Sequence, residues 1–307
     1  MDSVRAAVVQ ASPVHNNHRA SMAKIRNLLS DTSQSGAKLA VFPEAFLGGY
    51  PRGATFGTSI GSRTPEGREE FRHYWNAAID VPGPVVFELG ELAAEFRTHL
   101  VIGVIERDGG TLYCTVLFYD ATGAYLGKHR KLMPTGAERL IWGFGDGSTL
   151  NVFDTEIGRL GAVVCWENYM PLLRAAMYSK GIQIYCAPTA DSRDTWTATM
   201  RHVACEGRCF VLGANQYITL DDDCADVKTS DQSALMSRGG SLIVSPMGEI
   251  LAGPCFDQEA VLTADLDLAE IVRGKYDFDV VGHYARPDIF RLTVNERVQR
   301  AVFTETD

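Results

Sequence analysis

Three short runs constrain the fold of this chain more than anything else in it: Lys38 to Phe42 (KLAVF), Leu160 to Val164 (LGAVV) and Ile182 to Ala187 (IQIYCA). Each is nearly all apolar and has the length of a strand rather than a helix. Because the residues do not alternate between apolar and polar, such a strand has to be buried on both faces, which requires helices to cover a sheet. Helical spacing occurs where that demands it. Met22, Ile25, Leu28 and Leu29 recur at helical intervals before Gly36, and Pro65 to Ile79 and Pro84 to His99 form two further helices parted by Pro82-Gly83. On the second of these, Phe87, Leu89, Leu92, Ala93 and Phe96 are expected to face inward. Pro171 to Ser179, Thr195 to Phe210 and a segment from Leu268 complete the helices.

The remaining strands run in mixed directions. Arg5 to Gln10 opens the chain, and Leu100 to Ile105, Leu112 to Tyr119 and Tyr125 to Lys128 form a meander with turns at Asp108-Gly109-Gly110 and Ala121-Thr122-Gly123. Val211 to Gln216, Ser241 to Ser245, a hairpin through Met247-Gly248-Glu249 and Val261 to Asp265 follow, with an acidic loop, Asp221 to Ser237, expected to be mobile and solvated. No repeat or linker marks a boundary, so one α/β domain over residues 1–307 is expected, with 282–307 as a C-terminal tail.

Composition narrows the function. A net charge of -9, with no basic stretch longer than Lys128 to Lys131, argues against nucleic-acid partners. No run of 18 apolar residues suggests a membrane span, and the opening MDSVRAAVVQAS does not read as a signal peptide. Seven cysteines without regular spacing fit a reducing compartment, so a cytoplasmic protein is expected. Cys205 and Cys209, four apart in the Thr195 to Phe210 helix, lack a third and fourth ligand nearby, and His15 and His18 read as surface residues. No metal and no cofactor is expected. Gly57 to Gly61 matches Gly-x-Ser-x-Gly but has no strand before it, and Gly143, Gly145 and Gly147 lack the spacing of a dinucleotide loop.

Chemistry gathers at strand ends instead. Glu44 follows the KLAVF strand, Cys165 follows LGAVV, and Lys131 lies in HRKLMPTGAERLIWGFGDG. A carboxylate, an ammonium and a thiol are what acyl transfer through a thioester uses: a base for the thiol proton, a cation for developing negative charge, and a nucleophile.

With these residues the chain resembles the nitrilase branch of the carbon-nitrogen hydrolase superfamily. The likeness runs through VFPEAFLGGYPRG, HRKLMPTGAERLIWG, GRLGAVVCWENYMPLLR, IYCAPTAD and GHYARPD, and Cys-Trp-Glu at Cys165 to Glu167 is its most specific part. The resemblance implies an α-β-β-α sandwich with two mixed sheets and a homo-oligomer built from dimers. It also implies catalytic roles for Glu44, Lys131 and Cys165, with Glu138 as a second carboxylate that orients Lys131 or the substrate. A small-molecule nitrile would then be hydrolysed through a thioimidate and a thioester. Lys131 is expected to lower the thiol pKa, and the backbone N–H of Trp166 to share the oxyanion. Tyr50, Trp142, Trp166, Thr189 and Trp196 are expected to line an apolar pocket suited to aromatic or arylalkyl nitriles. An amidase or nitrile-hydrating enzyme of the same superfamily is the alternative, and a non-catalytic scaffold is a remote one.

Overall fold

The computed structural model describes residues 3–15, 17–219 and 235–302. Its strands form two large sheets. In the first the order is Ala260–Asp267, Ser3–Gln10, Leu39–Val41, His99–Asp108, Thr111–Tyr119 and Tyr125–Arg130, with Ile79–Asp80 joined to His99–Asp108. In the second it is Tyr217–Thr219, Leu235–Val244, Phe210–Gly213, Ile184–Cys186, Gly158–Ala162 and Val152–Thr155, with Ile250–Phe256 joined to Leu235–Val244.

The apolar runs found in the sequence are the parallel centres of these sheets. Leu39–Val41 pairs in parallel with strands on both sides, at Ala6↔Leu39 and Leu39↔His99, and Ile184–Cys186 does the same at Leu160↔Ile184 and Ile184↔Phe210. Side chains of successive residues point to opposite faces. Leu39 and Val41 enter the core between the sheets with Leu160, Ala162, Ile184 and Leu212, while Ala40 packs on the outer side with Ile25, Leu29, Leu89 and Ala93 of the helices His18–Gln34 and Pro84–Phe96. Val163 and Tyr185 likewise turn outward to Leu173, Met177, Met200 and Val203 of Pro171–Ser179 and Asp194–Gly207. Helix, sheet, sheet and helix are therefore stacked, and the deepest layer is the contact between the sheets.

Several expectations are corrected. Phe87 is exposed, because Val86, Leu89 and Ala93 define the buried stripe and leave position 87 a third of a turn away from it. The helix Asp194–Gly207 stops before Cys209, with Arg208 in the left-handed region, so Cys205 and Cys209 share no helix face. The strand Val152–Thr155 was not anticipated, since Val152, Phe153, Asp154 and Thr155 include only two apolar residues. Of the expected acidic loop, residues 221–234 lie outside the described residues, and Ser237 is a buried member of the strand Leu235–Val244. Residues 282–302 contain neither helix nor strand, and tie back through Lys180 with Glu296 and the Gln299 amide with Asp146.

Candidate active site

Two strand ends of the first sheet and one of the second converge between the layers. Glu44 stands in the turn after Leu39–Val41, which is fixed by Phe42 N–H to Val101 O at 2.8 Å and Leu47 N–H to Gly103 O at 3.1 Å. Gly103 permits this turn. A Cβ there would lie 2.6 Å from Ala45 N and 2.7 Å from Glu44 Cα. From the second sheet, Gln216 Nε2 donates to the Glu44 carbonyl at 2.6 Å. Lys131 directly follows Tyr125–Arg130, and its amide is held by Cys114 O at 2.8 Å. Cys165 begins a short 3-10 turn, Cys165–Tyr169, with φ of 50° and its amide bonded to Pro188 O at 2.9 Å. A non-glycine residue at positive φ is backbone strain held by its surroundings, a common property of reactive positions.

Lys131 is the hub. Its Nζ donates to Glu44 Oε1 at 2.6 Å and to Glu138 Oε2 at 2.7 Å, with essentially no exposure of the ammonium or of Glu44. The two carboxylates are bonded differently. Both oxygens of Glu138 are engaged, since Oε2 also accepts the Thr135 amide at 2.6 Å and Oε1 accepts the Tyr50 hydroxyl at 2.6 Å. Glu44 Oε1 takes the Cys114 thiol at 3.4 Å as well as Lys131, whereas its buried Oε2 has no hydrogen-bond partner among the described residues. An unpaired buried oxygen of this kind is costly unless something uses it.

Electrostatics follow from that packing. Burial pushes the Glu44 carboxyl above the ordinary range, opposed by Lys131 and by the neighbouring Cys165 thiol. Burial would lower the Lys131 ammonium, but Glu44 and the other surrounding acidic groups hold it well above its usual value. For Cys165, burial and then Glu44 push the thiol up, and Lys131 and a hydrogen bond from Thr189 only partly offset them. Lys131 thus acts on the thiol in the expected downward direction, but burial and Glu44 outweigh it, because the cation's charge is already engaged by two carboxylates.

Comparison with known proteins gives the family. The family model for carbon-nitrogen hydrolases matches residues 5–276. The chain belongs to the carbon-nitrogen hydrolase family. Within it the chain sits in the nitrilase branch: it is 58% identical to an aliphatic nitrilase of Sinorhizobium fredii, covering 99% of both chains. It is also 57% identical to the bifunctional nitrilase/nitrile hydratase NIT4B of Nicotiana tabacum, over 99% of this chain and 90% of that one. In fold it is similar to Nit3 of Saccharomyces cerevisiae, with a TM-score of 0.73 at 22% identity, covering 92% of this chain and 97% of that one.

Among carbon-nitrogen hydrolases, the Cys-Trp-Glu signature here has a physical reason that sequence reading missed. Glu167 is buried and joins the nucleophile segment to the lysine segment: Oε2 accepts the Val164 amide at 2.8 Å, and Oε1 accepts the Leu132 amide at 2.6 Å. Those amides adjoin Cys165 and Lys131. His129, from the strand Tyr125–Arg130 that precedes Lys131, meets the same carboxylate at 3.1 Å. A carboxylate three residues after Val164, whose amide it accepts, was the available signal. Cys114 was missed as well, because nothing local in the strand Thr111–Tyr119 marks it as a neighbour of Glu44.

The expected substrate contacts are not one group. Tyr50 reaches the cluster through Glu138 and lines a cleft of about 470 Å³ with Arg52, Phe56, Glu138, Leu140 and Ile141. Thr189 is wholly buried and contacts sulfur, its Oγ1 3.1 Å from Cys165 Sγ. Trp142 is a buried wall behind the lysine, its ring 5.4 Å from Lys131 Nζ and edge-on to Tyr50. Trp166 is exposed, with its indole N–H on Asp191 Oδ2 at 2.9 Å and Arg193 stacked at 4.6 Å. Trp196 is a correction: it is buried on the helix side of the second sheet with Met200 and Val203, away from the layer that holds Cys165. No group of three or more His, Cys, Asp or Glu able to hold a metal ion occurs among the described residues.

Proposed function

We propose that this carbon-nitrogen hydrolase is a nitrilase that converts an organic nitrile to its carboxylic acid and ammonia, with Cys165 as nucleophile, Glu44 as base and Lys131 and Glu138 as its charged frame. The observation that carries the reading is the asymmetry around Lys131: both Glu138 oxygens are engaged, while Glu44 keeps one buried oxygen unpaired. Glu44 Oε2 accepts the thiol proton as sulfur bonds to the nitrile carbon, and that proton passes to nitrogen, giving a thioimidate. Water then adds, both of its protons pass by way of Glu44 to nitrogen so that ammonia leaves and a thioester remains, and a second water cleaves the thioester to the acid while sulfur regains a proton. Negative charge arising at these steps meets Lys131 and the Trp166 amide, which lies in the first turn of the 3-10 segment where no intrahelical acceptor exists.

The cleft supports apolar nitriles, since Tyr50, Phe56, Leu140 and Ile141 line it. The relatives' names widen the range at two points. One is called an aliphatic nitrilase, and others bifunctional nitrilase/nitrile hydratases, so aliphatic substrates and amide as a second product belong in the test. Incubation with aliphatic, aryl and arylalkyl nitriles, followed by chromatography and an ammonia assay, is expected to give acid and ammonia in nearly equal amounts, with amide minor. Amide as the main product makes it a nitrile-hydrating enzyme, turnover of amides alone makes it an amidase, and no turnover of either favours a scaffold.

As part of the same reading, the chain is one domain with a C-terminal tail, works in the cytoplasm and assembles into homo-oligomers from dimers. Six free cysteines among the described residues support a reducing compartment. No described helix is long and apolar enough to cross a membrane.

A further inference from the structure

We infer that Thr189 is a further catalytic residue of this site, its hydroxyl donating to the Cys165 sulfur and holding the negative charge that sulfur carries as it attacks and as it leaves. The inference rests on Cys165 being the nucleophile.

The direction of the hydrogen bond is set by counting protons. A threonine hydroxyl has one proton to give. Its oxygen already accepts the Asp191 amide at 3.0 Å, so the proton is available for Cys165 Sγ, 3.1 Å away. The hydroxyl is also held in place. Thr189 N–H donates to Ala214 O at 2.9 Å, and Asn215 Nδ2 donates to Asp191 O at 2.6 Å, which fixes the backbone on either side of the hydroxyl's donor. Thr189 has no exposure, so water does not compete for the bond. With Thr189 occupying one side of sulfur as a donor, the thiol's own proton turns to an acceptor, and Glu44 Oε2 is the buried carboxylate oxygen without a partner.

Such a bond is weak to a neutral thiol and strong to a thiolate, because the second is charge-assisted. It therefore favours the transition states over the resting enzyme. In the first, sulfur becomes nucleophilic as its proton moves to Glu44. In the last, water attacks the thioester carbon, the carbon–sulfur bond breaks, and the electron pair returns to sulfur beside the Thr189 hydroxyl before Glu44 reprotonates it. Direct use of the hydroxyl by Asp191 and Cys165 also leaves it no proton for a substrate, which removes Thr189 from the expected pocket lining.

Two substitutions separate hydroxyl from shape. Thr189→Val keeps the branched side chain and loses the donor, and Thr189→Ser keeps the donor and loses the methyl group. Iodoacetamide modification of Cys165 at fixed pH, read by peptide mapping, and steady-state turnover are measured on both, with thermal unfolding as the check on folding. Thr189→Val is expected to slow modification and kcat by about tenfold or more, the size of a lost hydrogen bond to a charged group, with KM changed far less, and Thr189→Ser is expected to recover most of both rates. Label on Cys165 at an unchanged rate in Thr189→Val, or a serine variant no better than the valine one, overturns the assignment. Label on another cysteine, with activity lost, instead overturns the reading of Cys165 as nucleophile.

Discussion

Glu44 and Glu138 are the same side chain on two sides of one ammonium, and only their remaining bonds tell them apart. Three donors converge on Glu138, whereas Glu44 offers a free oxygen in a site where burial raises its pKa. A base must be ionised to take a proton, so activity is present above the raised pKa of Glu44 and lost as pH falls through it. The acid limb of kcat/KM is expected to lie above the ordinary glutamic range, with no rise at the usual thiol pKa because the Cys165 thiol is itself pushed up. Glu44→Gln is expected to lower kcat by about a hundredfold or more. A pH–rate profile of the wild type with an acid midpoint at or below that of a free glutamate would contradict this. The residues proposed for these roles were legible as types, since Glu44, Lys131 and Cys165 each follow a strand. Which lone pairs were already taken was legible only in part: Thr135 and Glu138 form a local Thr-x-x-Glu capping box, whereas Tyr50 reaches Glu138 from far along the chain.

At the scale of elements, the site depends on how closely neighbouring segments approach. The strand His99–Asp108 touches the Glu44 turn through Gly103, whose missing side chain lets Glu44 Cα and the Ala45 amide sit over it. Gly103→Ala is expected to shift that turn and move Glu44 away from Cys165. Overpacking of this kind costs roughly 1–3 kcal/mol. Thermal unfolding should fall by several degrees, on the order expected for that loss in a chain of this size, and kcat should fall by at least about tenfold. A variant with wild-type turnover would show that the turn adapts. The strand itself was readable from its apolar residues, but a glycine in a strand has several causes, and only the neighbouring turn identifies this one.

The whole molecule exposes more large apolar side chains than its own layers use. Leu172 follows the Cys165 turn, Val272 and Tyr276 lie on the helix Ala269–Asp277, and Phe290, Val298 and Val302 follow in the tail, all well exposed in the single chain. Concentrations of exposed apolar surface usually mark association. Light scattering coupled to gel filtration is expected to give at least twice the 33.6 kDa of one chain. A monomeric mass at working concentration would remove the proposed dimer.

What the sequence determined by itself was the order of helices and strands around the buried runs and the residue types at three strand ends, because both are properties of a few consecutive residues. KLAVF had to be a strand covered on both faces, and the residue two places beyond it had to emerge at the sheet's end. Tertiary structure alone decided the rest. Lys131 and Glu44 are 87 positions apart, and His99–Asp108 and Thr111–Tyr119 lie between the strands that precede them, so their 2.6 Å contact exists only in the folded sheet. The same holds for Trp196 and Thr189, both polar-tipped residues near the second sheet: the face each occupies leaves one against helices and the other against the Cys165 sulfur. Hydrogen-bond saturation, desolvation and side-chain facing depend on atoms brought together from distant segments, and no local pattern encodes them.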